Sequence, residues 1–226
     1  DKNSGPYVAR NIALQVATGE YVTCHDADDW SHCEKIERQV KFLMKRPKII
    51  GNTSQQARLT NSLSFYRRGE YGCYILSNMS SFMFRRKPIV EKIGCWDCVR
   101  FGADSEFIRR IKIIFGERAI VEIPGSLLSF QRQSSNSLTS DQYFGYRGFF
   151  MGARKEYQES AEYYYNTTTD LKYHFPQNVR PFAIPEILKP NNKRVRKHYD
   201  VIIASDFRLK GGSNMSNVEE IKAQKR

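Results

Sequence analysis

Tyr21-Val22-Thr23-Cys24-His25-Asp26-Ala27-Asp28-Asp29-Trp30 is the stretch that decides how this chain is read. Glu20 to Cys24 predict a short β-strand that runs into an acidic turn. In extended backbone alternate side chains share a face, so Asp26 and Asp28 can point at one spot. Two hard carboxylate oxygens there suit Mg²⁺ or Mn²⁺, with water and phosphate oxygens completing the shell. The alternative is an Asp-rich turn that only caps the helix after it.

Working outward, the upstream residues predict a helix. Ser4 or Gly5 can cap it and Pro6 suits its first position. Val8, Ile12, Ala13 and Val16 form an apolar stripe, and Gly19 can end it. Downstream, the capping box Ser31-x-x-Glu34 predicts a second helix, with Ile36, Val40, Leu43 and Met44 on one face and a stop before Pro47. Helix, strand, acidic turn, helix is the rhythm of an α/β layer fold. Such a fold normally opens with a strand, so a domain lacking its first strands is expected.

Further along, Ser64-Phe65-Tyr66 and Ser81-Phe82-Met83-Phe84 are strand-like, and Lys92 to Asp97 predict a helix end and loop. Asp104 opens a third helix whose buried side is Phe107, Ile108, Ile111, Ile114 and Phe115, stopped at Gly116. Ala119 to Ile123 and Ser126 to Phe130 predict two short strands around Pro124-Gly125. Thr139 to Tyr165 have a helical pattern. Phe175 to Pro190 hold four prolines and no periodicity, the mark of a linker. The basic run Lys193 to Lys197 then precedes a strand at Tyr199 to Ala204, Gly211-Gly212 and a capping box at Ser216 and Glu219. The expected organisation is a domain over 1–170, a Pro-rich basic linker over 171–198 and the first βα unit of a second α/β domain over 199–226.

The 226 residues carry 36 Lys+Arg against 24 Asp+Glu, a net charge of +12, and 40% are apolar. That composition excludes a disordered tail or a fibrous repeat. The longest apolar runs fall well short of the roughly 18 residues of a membrane-spanning helix. Five cysteines make an odd, sparse set, so reduced thiols in a cytosolic setting are expected rather than a disulfide framework. The positive excess suits an anionic partner, whether nucleic acid, phosphorylated substrate or acidic membrane, and equally a solvated basic surface.

Other residues invite chemistry less strongly. Asp104 stands where an N-cap belongs, with Glu106 in the first turn, so a structural role suffices for both. The functional alternative is a general base at a helix N-terminus facing a cleft. Cys24, His25, His32 and Cys33 match no zinc-finger spacing. Cys95-Trp96-Asp97-Cys98 has redox-motif spacing without a thioredoxin-like strand before it. Arg85-Arg86-Lys87 and the stretch from Arg132 to Ser137 can meet phosphates, though a solvated basic face explains either.

Taken in order, several pieces resemble family 2 glycosyltransferases of the GT-A fold. They are Ala9-Arg10-Asn11 through Gly19 to Val22, Asp26 to Asp29, Lys35-Ile36-Glu37, Phe82 to Arg86, Glu91 to Gly94, Asp104 to Phe107 with Arg110, and Arg132 to Ser137. Together they cover roughly residues 3 to 140. The resemblance implies a three-layer α/β/α sheet domain that moves a sugar, with inversion, from a nucleotide-diphosphate donor of UDP type to an acceptor hydroxyl. It implies Asp28 as metal ligand with Asp26 beside it on the donor, Mg²⁺ or Mn²⁺ as cofactor, Asp104 as base, and Arg132 on the diphosphate.

Partners in that reading are the donor sugar and a glycan or lipid-linked acceptor, in a cytoplasmic setting compatible with peripheral membrane contact. Bacterial polysaccharide or cell-wall synthesis is the implied setting. Three departures stand out: the family's first two strands are absent, Ala103 replaces an acidic residue, and Ser134 stands where a histidine sometimes follows the arginine. Tyr199 to Arg208 with Gly211-Gly212 resemble the start of a GT-B glycosyltransferase. Two rivals remain. One is a basic module for nucleic acid, against which no RNP or zinc-finger motif appears; the other is an inactive transferase-like fragment.

Overall fold

The computed structural model describes residues 4–67, 71–133, 151–190, 200–201, 203, 205 and 211–224. The first half runs α1 (Pro6–Val16), β1 (Tyr21–Thr23), β2 (Trp30–Ser31), α2 (Lys35–Met44), β3 (Gly51–Leu59), β4 (Ile75–Ser77), β5 (Met83–Arg85) and α3 (Arg86–Lys92). The second half adds α4 (Ala103–Phe115), β6 (Ile120–Arg132), α5 (Ala153–Thr167) and α6 (Gly212–Gln224). The result is a mixed α/β architecture with one six-stranded sheet among the described residues, ordered β1-β5-β3-β6-β2 with β4 alongside β3.

The strand at the centre of this sheet is polar. β3 reads Gly51-Asn52-Thr53-Ser54-Gln55-Gln56-Ala57-Arg58-Leu59, and Asn52, Thr53, Ser54 and Gln56 are all buried. It pairs parallel with β6 from Gly51 opposite Ile120 to Leu59 opposite Arg132, and antiparallel with β5 and β4. Of its buried polar side chains, Asn52 is matched from the covering helix, whereas Ser54 Oγ and Gln56 Oε1 have no hydrogen-bond partner among the described residues. Gln39 donates to the Asn52 carbonyl oxygen at 3.1 Å, and Asn52 donates to the Gln39 backbone carbonyl at 2.9 Å. Such pairing is what makes buried amides tolerable.

That polar wall corrects the expected face of α2. Lys35, Gln39 and Leu43 point inward, while Ile36 and Met44 are exposed. The helix also begins at Lys35, after a cap at Glu34 that makes no side-chain bond. Ser31 does not open a capping box; it lies in β2, opposite Ser129 of β6. The first helix is rotated in the same sense. Tyr7, Asn11 and Leu14 are buried, and Ile12 and Val16 face outward. The cause is a buried amide: Asn11 donates to the Trp96 carbonyl and accepts from the Trp96 N–H, both at 2.9 Å.

The apolar core sits where β5 and α4 meet the loop after α3. Trp96 stacks on Phe107 at 4.6 Å, and Phe84 packs edge-on against both rings at 5.7 and 5.6 Å. Phe107, Ile108 and Ile111 are buried as expected, with Ile114 and Phe115 partly so. The two strands expected around Pro124-Gly125 are one long strand, β6, whose pairing with β3 shifts register between Thr53 and Gln56 and absorbs the interruption. The positive φ of 61° at Gly125 suits a glycine there.

The Pro-rich stretch is not a linker up to residue 190. Leu171, Tyr173 and Leu188 are buried, Tyr173 N–H donates to Ile93 O at 3.0 Å, and Arg100 N–H donates to Leu188 O at 2.8 Å. The backbone comes so near that a Cβ on Gly94 would lie 1.9 Å from Tyr173 O, at a φ of 77°. Only glycine fits there.

The chain forms two compact units, Asp1–Asn192 and Lys193–Arg226. The second unit contributes α6, which has no buried residue and starts at Gly212, so Ser216 and Glu219 lie within the helix. The strand expected at Tyr199 to Ala204 falls partly outside the described residues, and Asp200, Val201 and Ile203 are not in a strand. The helical pattern expected from Thr139 is seen from Ala153 onward, the residues from 134 to 150 lying outside the description.

Candidate active site

A forked guanidinium joins the two acidic features of the sequence. Arg10 of α1 donates through Nη1 to Asp104 Oδ1 at 2.6 Å and through Nη2 to Asp26 Oδ1 at 3.0 Å. Tyr7, one helical turn earlier, donates its hydroxyl to Asp104 Oδ2 at 2.9 Å. The spacing of three residues puts both groups on one helix face. Arg10, Cys24, Ser80, Trp96, Asp104 and Ile108 are among the residues that line the cleft.

Asp104 sits in the first turn of α4, behind Gly102, which takes the cap position at a φ of 84°. It is thus not the cap itself, as its place in the sequence suggested, but its charge still lies at the positive end of the helix dipole. Burial pushes its carboxyl above the usual range, while the Arg10 guanidinium and the Tyr7 hydroxyl pull it back. For Arg10, burial works against the charge, and Asp104 together with Cys24, Tyr7 and Asp26 more than compensates, so the guanidinium stays protonated. Burial also drives the Tyr7 phenol well above its ordinary value, which keeps it a donor.

The acidic turn is shaped by its neighbours. Asp29 N–H donates to Asp26 O at 3.1 Å. His25 contacts Asp29 O at 3.1 Å and Ser31 Oγ at 3.2 Å with its two ring nitrogens. Asp29 accepts from Gln131 at 3.3 Å and from the backbone of Arg132, and burial, with Asp26 and Asp28 nearby, raises its carboxyl. Lys35 is buried, with Nζ 3.4 Å from Ser31 Oγ. Desolvation lowers its ammonium, opposed by Asp29 and Asp26. Asp28 is exposed and carries no hydrogen bond among the described residues.

Of the residues singled out from sequence, Asp26 and Asp104 are therefore brought together, and Asp28 is exposed on the same acidic turn as Asp26. Arg132 is not brought in by its side chain, which donates to Asn61 Oδ1 at 3.1 Å. Glu106 is turned away from the cleft into a buried ion pair with Arg110, at 2.7 and 2.9 Å. Sequence reasoning gave no role to Arg10, Tyr7 or Lys35. The signal available was polar residues at helical spacing, Tyr7 with Asn11 and Lys35 with Gln39, where an inward face would be apolar.

Among the described residues no three Asp, Glu, His or Cys side chains gather as a metal shell. A magnesium-type ion needs less, since one or two carboxylates plus substrate phosphates and water suffice. An exposed Asp28 beside an Asp26 with only one oxygen engaged among the described residues fits that donor set. All five thiols are free, and burial pushes Cys95 up to about 12, which makes a redox role for the Cys95-Cys98 pair unsuitable.

Residues 1–103 match the model of glycosyl transferase family 2. The family 2 match thus takes in Tyr7, Arg10 and the whole acidic turn, and stops one residue short of Asp104. Relatives share the name. Over 81 residues the chain is 37% identical to an uncharacterized glycosyltransferase of Rickettsia felis, covering 36% of this chain and 12% of that protein. Over 48 residues it is 44% identical to an uncharacterized glycosyltransferase of Haemophilus influenzae, covering 21% and 19%. Over 46 residues it is 48% identical to TuaG of Bacillus subtilis, a glycosyltransferase assigned provisionally to teichuronic acid biosynthesis, covering 20% and 18%. The chain therefore spans less than a fifth of the length of each of these relatives. No helix among the described residues is long and apolar enough to cross a membrane.

Proposed function

We propose that this chain carries the transferase site of an inverting family 2 glycosyltransferase, with a UDP-type sugar as donor and a glycan or lipid-linked hydroxyl as acceptor, working on the cytoplasmic side. The observation that carries the reading is the Arg10 fork, which ties the acidic turn and the helix-terminal Asp104 into one cleft.

Asp104 is the base. The acceptor oxygen attacks the anomeric carbon as its proton passes to the Asp104 carboxylate. The new C–O bond forms on the face opposite the departing diphosphate, so the configuration inverts. Arg10 and Tyr7 hold the Asp104 carboxylate in one orientation, the positioning that such a step needs. Asp28, with Asp26, would hold Mg²⁺ or Mn²⁺, which supplies charge neutralisation for the diphosphate. Arg132 would meet the diphosphate only by leaving Asn61. The relation of TuaG to teichuronic acid supports placing the reaction in the synthesis of a bacterial surface polysaccharide.

Calorimetric titration of UDP with Mn²⁺, repeated on Asp28→Ala, tests the reading. Metal-dependent binding by the native chain that disappears in the variant is the expected result. Absence of binding with UDP, GDP and TDP alike overturns the donor site and returns the acidic turn to a structural role.

A further inference from the structure

A glutamine near the end of β6 joins two segments of the candidate site. Gln131 donates through Nε2 to Asp29 Oδ2 and to Ser80 Oγ, both at 3.3 Å. Its Oε1 accepts from Arg58 Nη2 of β3 at 3.1 Å. An arginine can only donate, so that bond identifies the carbonyl end of the amide and leaves both N–H groups for Asp29 and Ser80. Arg58 also donates through Nη1 to Gln133 Oε1 at 3.0 Å, which steadies the guanidinium. Both N–H groups and the carbonyl of Gln131 are thus engaged.

The two partners of the amide belong to different parts of the site. Asp29 closes the acidic turn through its N–H on Asp26 O at 3.1 Å, and its carboxylate also accepts from the Arg132 backbone. Ser80 belongs to the 3-10 turn Met79–Ser81, which lines the cleft with Asp104. Ser80 Oγ donates in its turn to Asn78 Oδ1 at 3.0 Å, an oxygen that also takes the Ser81 N–H at 3.3 Å. The donors therefore run one way, from Arg58 through Gln131 to Ser80 and Asn78, with a branch to Asp29. No other side-chain bond among the described residues links the acidic turn to Met79–Ser81.

We propose that Gln131 is a positioning residue that ties the turn carrying Asp26 and Asp28 to the Met79–Ser81 wall beside Asp104, so that the two shift together. Neither segment can move away singly without leaving a part-buried N–H of the amide unpaired. By linkage, whatever steadies one end steadies the other to the same extent. For its purpose the tie rests on the transferase reading: a donor held at the acidic turn is felt in the cleft where the acceptor hydroxyl meets the base.

Amide hydrogen exchange of the full chain, read fragment by fragment, tests the tie without any ligand. The Ser81 and Phe82 N–H groups bond to Asn78 Oδ1 and Met79 O, and that of Asp29 to Asp26 O, so each reports on its own segment. Asp29→Ala is expected to speed exchange at Ser81 and Phe82 about fivefold, and Ser80→Ala to do the same at Asp29. Neither effect should cross in a Gln131→Leu background. Unaltered exchange at the far segment in both single variants overturns the proposal, and so does an effect that still crosses without Gln131.

Gln131→Glu separates positioning from support. It keeps an acceptor for Arg58, so the thermal unfolding midpoint should stay near the native value. A carboxylate, however, cannot donate to Asp29 or Ser80, and it repels the former. Mn²⁺-dependent affinity for UDP, read by calorimetry, is expected to fall about 10–100-fold, with faster exchange at both segments. Native exchange together with native UDP affinity in this variant overturns the proposal. Reciprocal exchange effects in a chain that binds no UDP would break the donor site alone, whereas UDP binding without them would break the tie alone.

Discussion

Helix α4 carries two carboxylates two positions apart, and each meets an arginine, yet the two pairs have opposite characters. Glu106 and Arg110 are fully sequestered, with side chains 2% and 0% exposed. Arg110 spends its donors completely: Nε and Nη2 go to Glu106, Nη1 to the carbonyls of Ile93 and Leu171, and Nη2 also to Cys95 O. Its Cζ lies 3.6 Å from the Tyr173 ring centroid, and Tyr165 adds a hydroxyl bond to Glu106. Arg10 instead divides itself between two carboxylates that remain 24% and 42% exposed. A charge pair whose every donor is consumed is architecture. One left open to a cleft, with its partners shared, retains the capacity to bind and to move protons.

The contrast is broken most severely by Arg110→Ala. It leaves Glu106 charged and unpaired in the core, which should cost about 3–5 kcal/mol in denaturant unfolding. A much smaller loss would mean that the pair is not sealed. Asp104→Asn should lower the rate of sugar transfer about 10²–10⁴-fold, read as UDP release in the presence of acceptor. Its unfolding midpoint should move far less than that of Arg110→Ala, and the reverse ranking would exchange the roles of the two carboxylates.

Arg10→Gln sharpens the comparison through pH. In the proposed reaction Asp104 must be ionised, and burial holds its carboxyl above the ordinary range, so activity should fall as pH drops through that raised value. Removing the guanidinium that pulls it down should move the acidic limb of the pH–rate profile still higher. An unmoved limb would mean that Arg10 does not govern Asp104. At the other extreme, Arg38→Ala breaks the half-exposed pair with Glu34 and should change stability by only about 0.3–0.5 kcal/mol.

What the sequence disclosed was what periodicity and turn chemistry encode. The stripe Phe107, Ile108, Ile111 predicted the buried side of α4, and the acidic run after a short strand predicted the turn that holds Asp26 and Asp28. What it concealed was every place where polar groups go inside. β3 escaped notice because Asn52, Thr53, Ser54 and Gln56 lack the apolar alternation of a strand, and the bonds between Gln39 and Asn52 that help to bury it join residues 13 positions apart. Buried amides likewise turned both helices away from their apolar stripes, Asn11 on Trp96 for α1 and Gln39 on Asn52 and Ser81 O for α2. Arg10 was quoted within a motif, but nothing local says that its fork reaches residues 16 and 94 positions away. Glu106 looked like a companion of Asp104 in sequence, and only the helix's turn, which points one to α1 and the other to Arg110, separates them.

The bonds from Arg110 to Leu171 O and Ile93 O also decide where this polypeptide can be cut. A parse by composition ends the domain near residue 170, just before the prolines begin. Severing the chain there would strip Arg110 of a carbonyl and of the ring beneath it, and would empty the places of Leu171, Tyr173 and Leu188. The helix that presents Asp104 would lose its anchor at Arg110, six residues further along. Anyone shortening this protein for expression should keep residues 171–190, and a protease that nicks before them should extinguish the site without touching a single group in it.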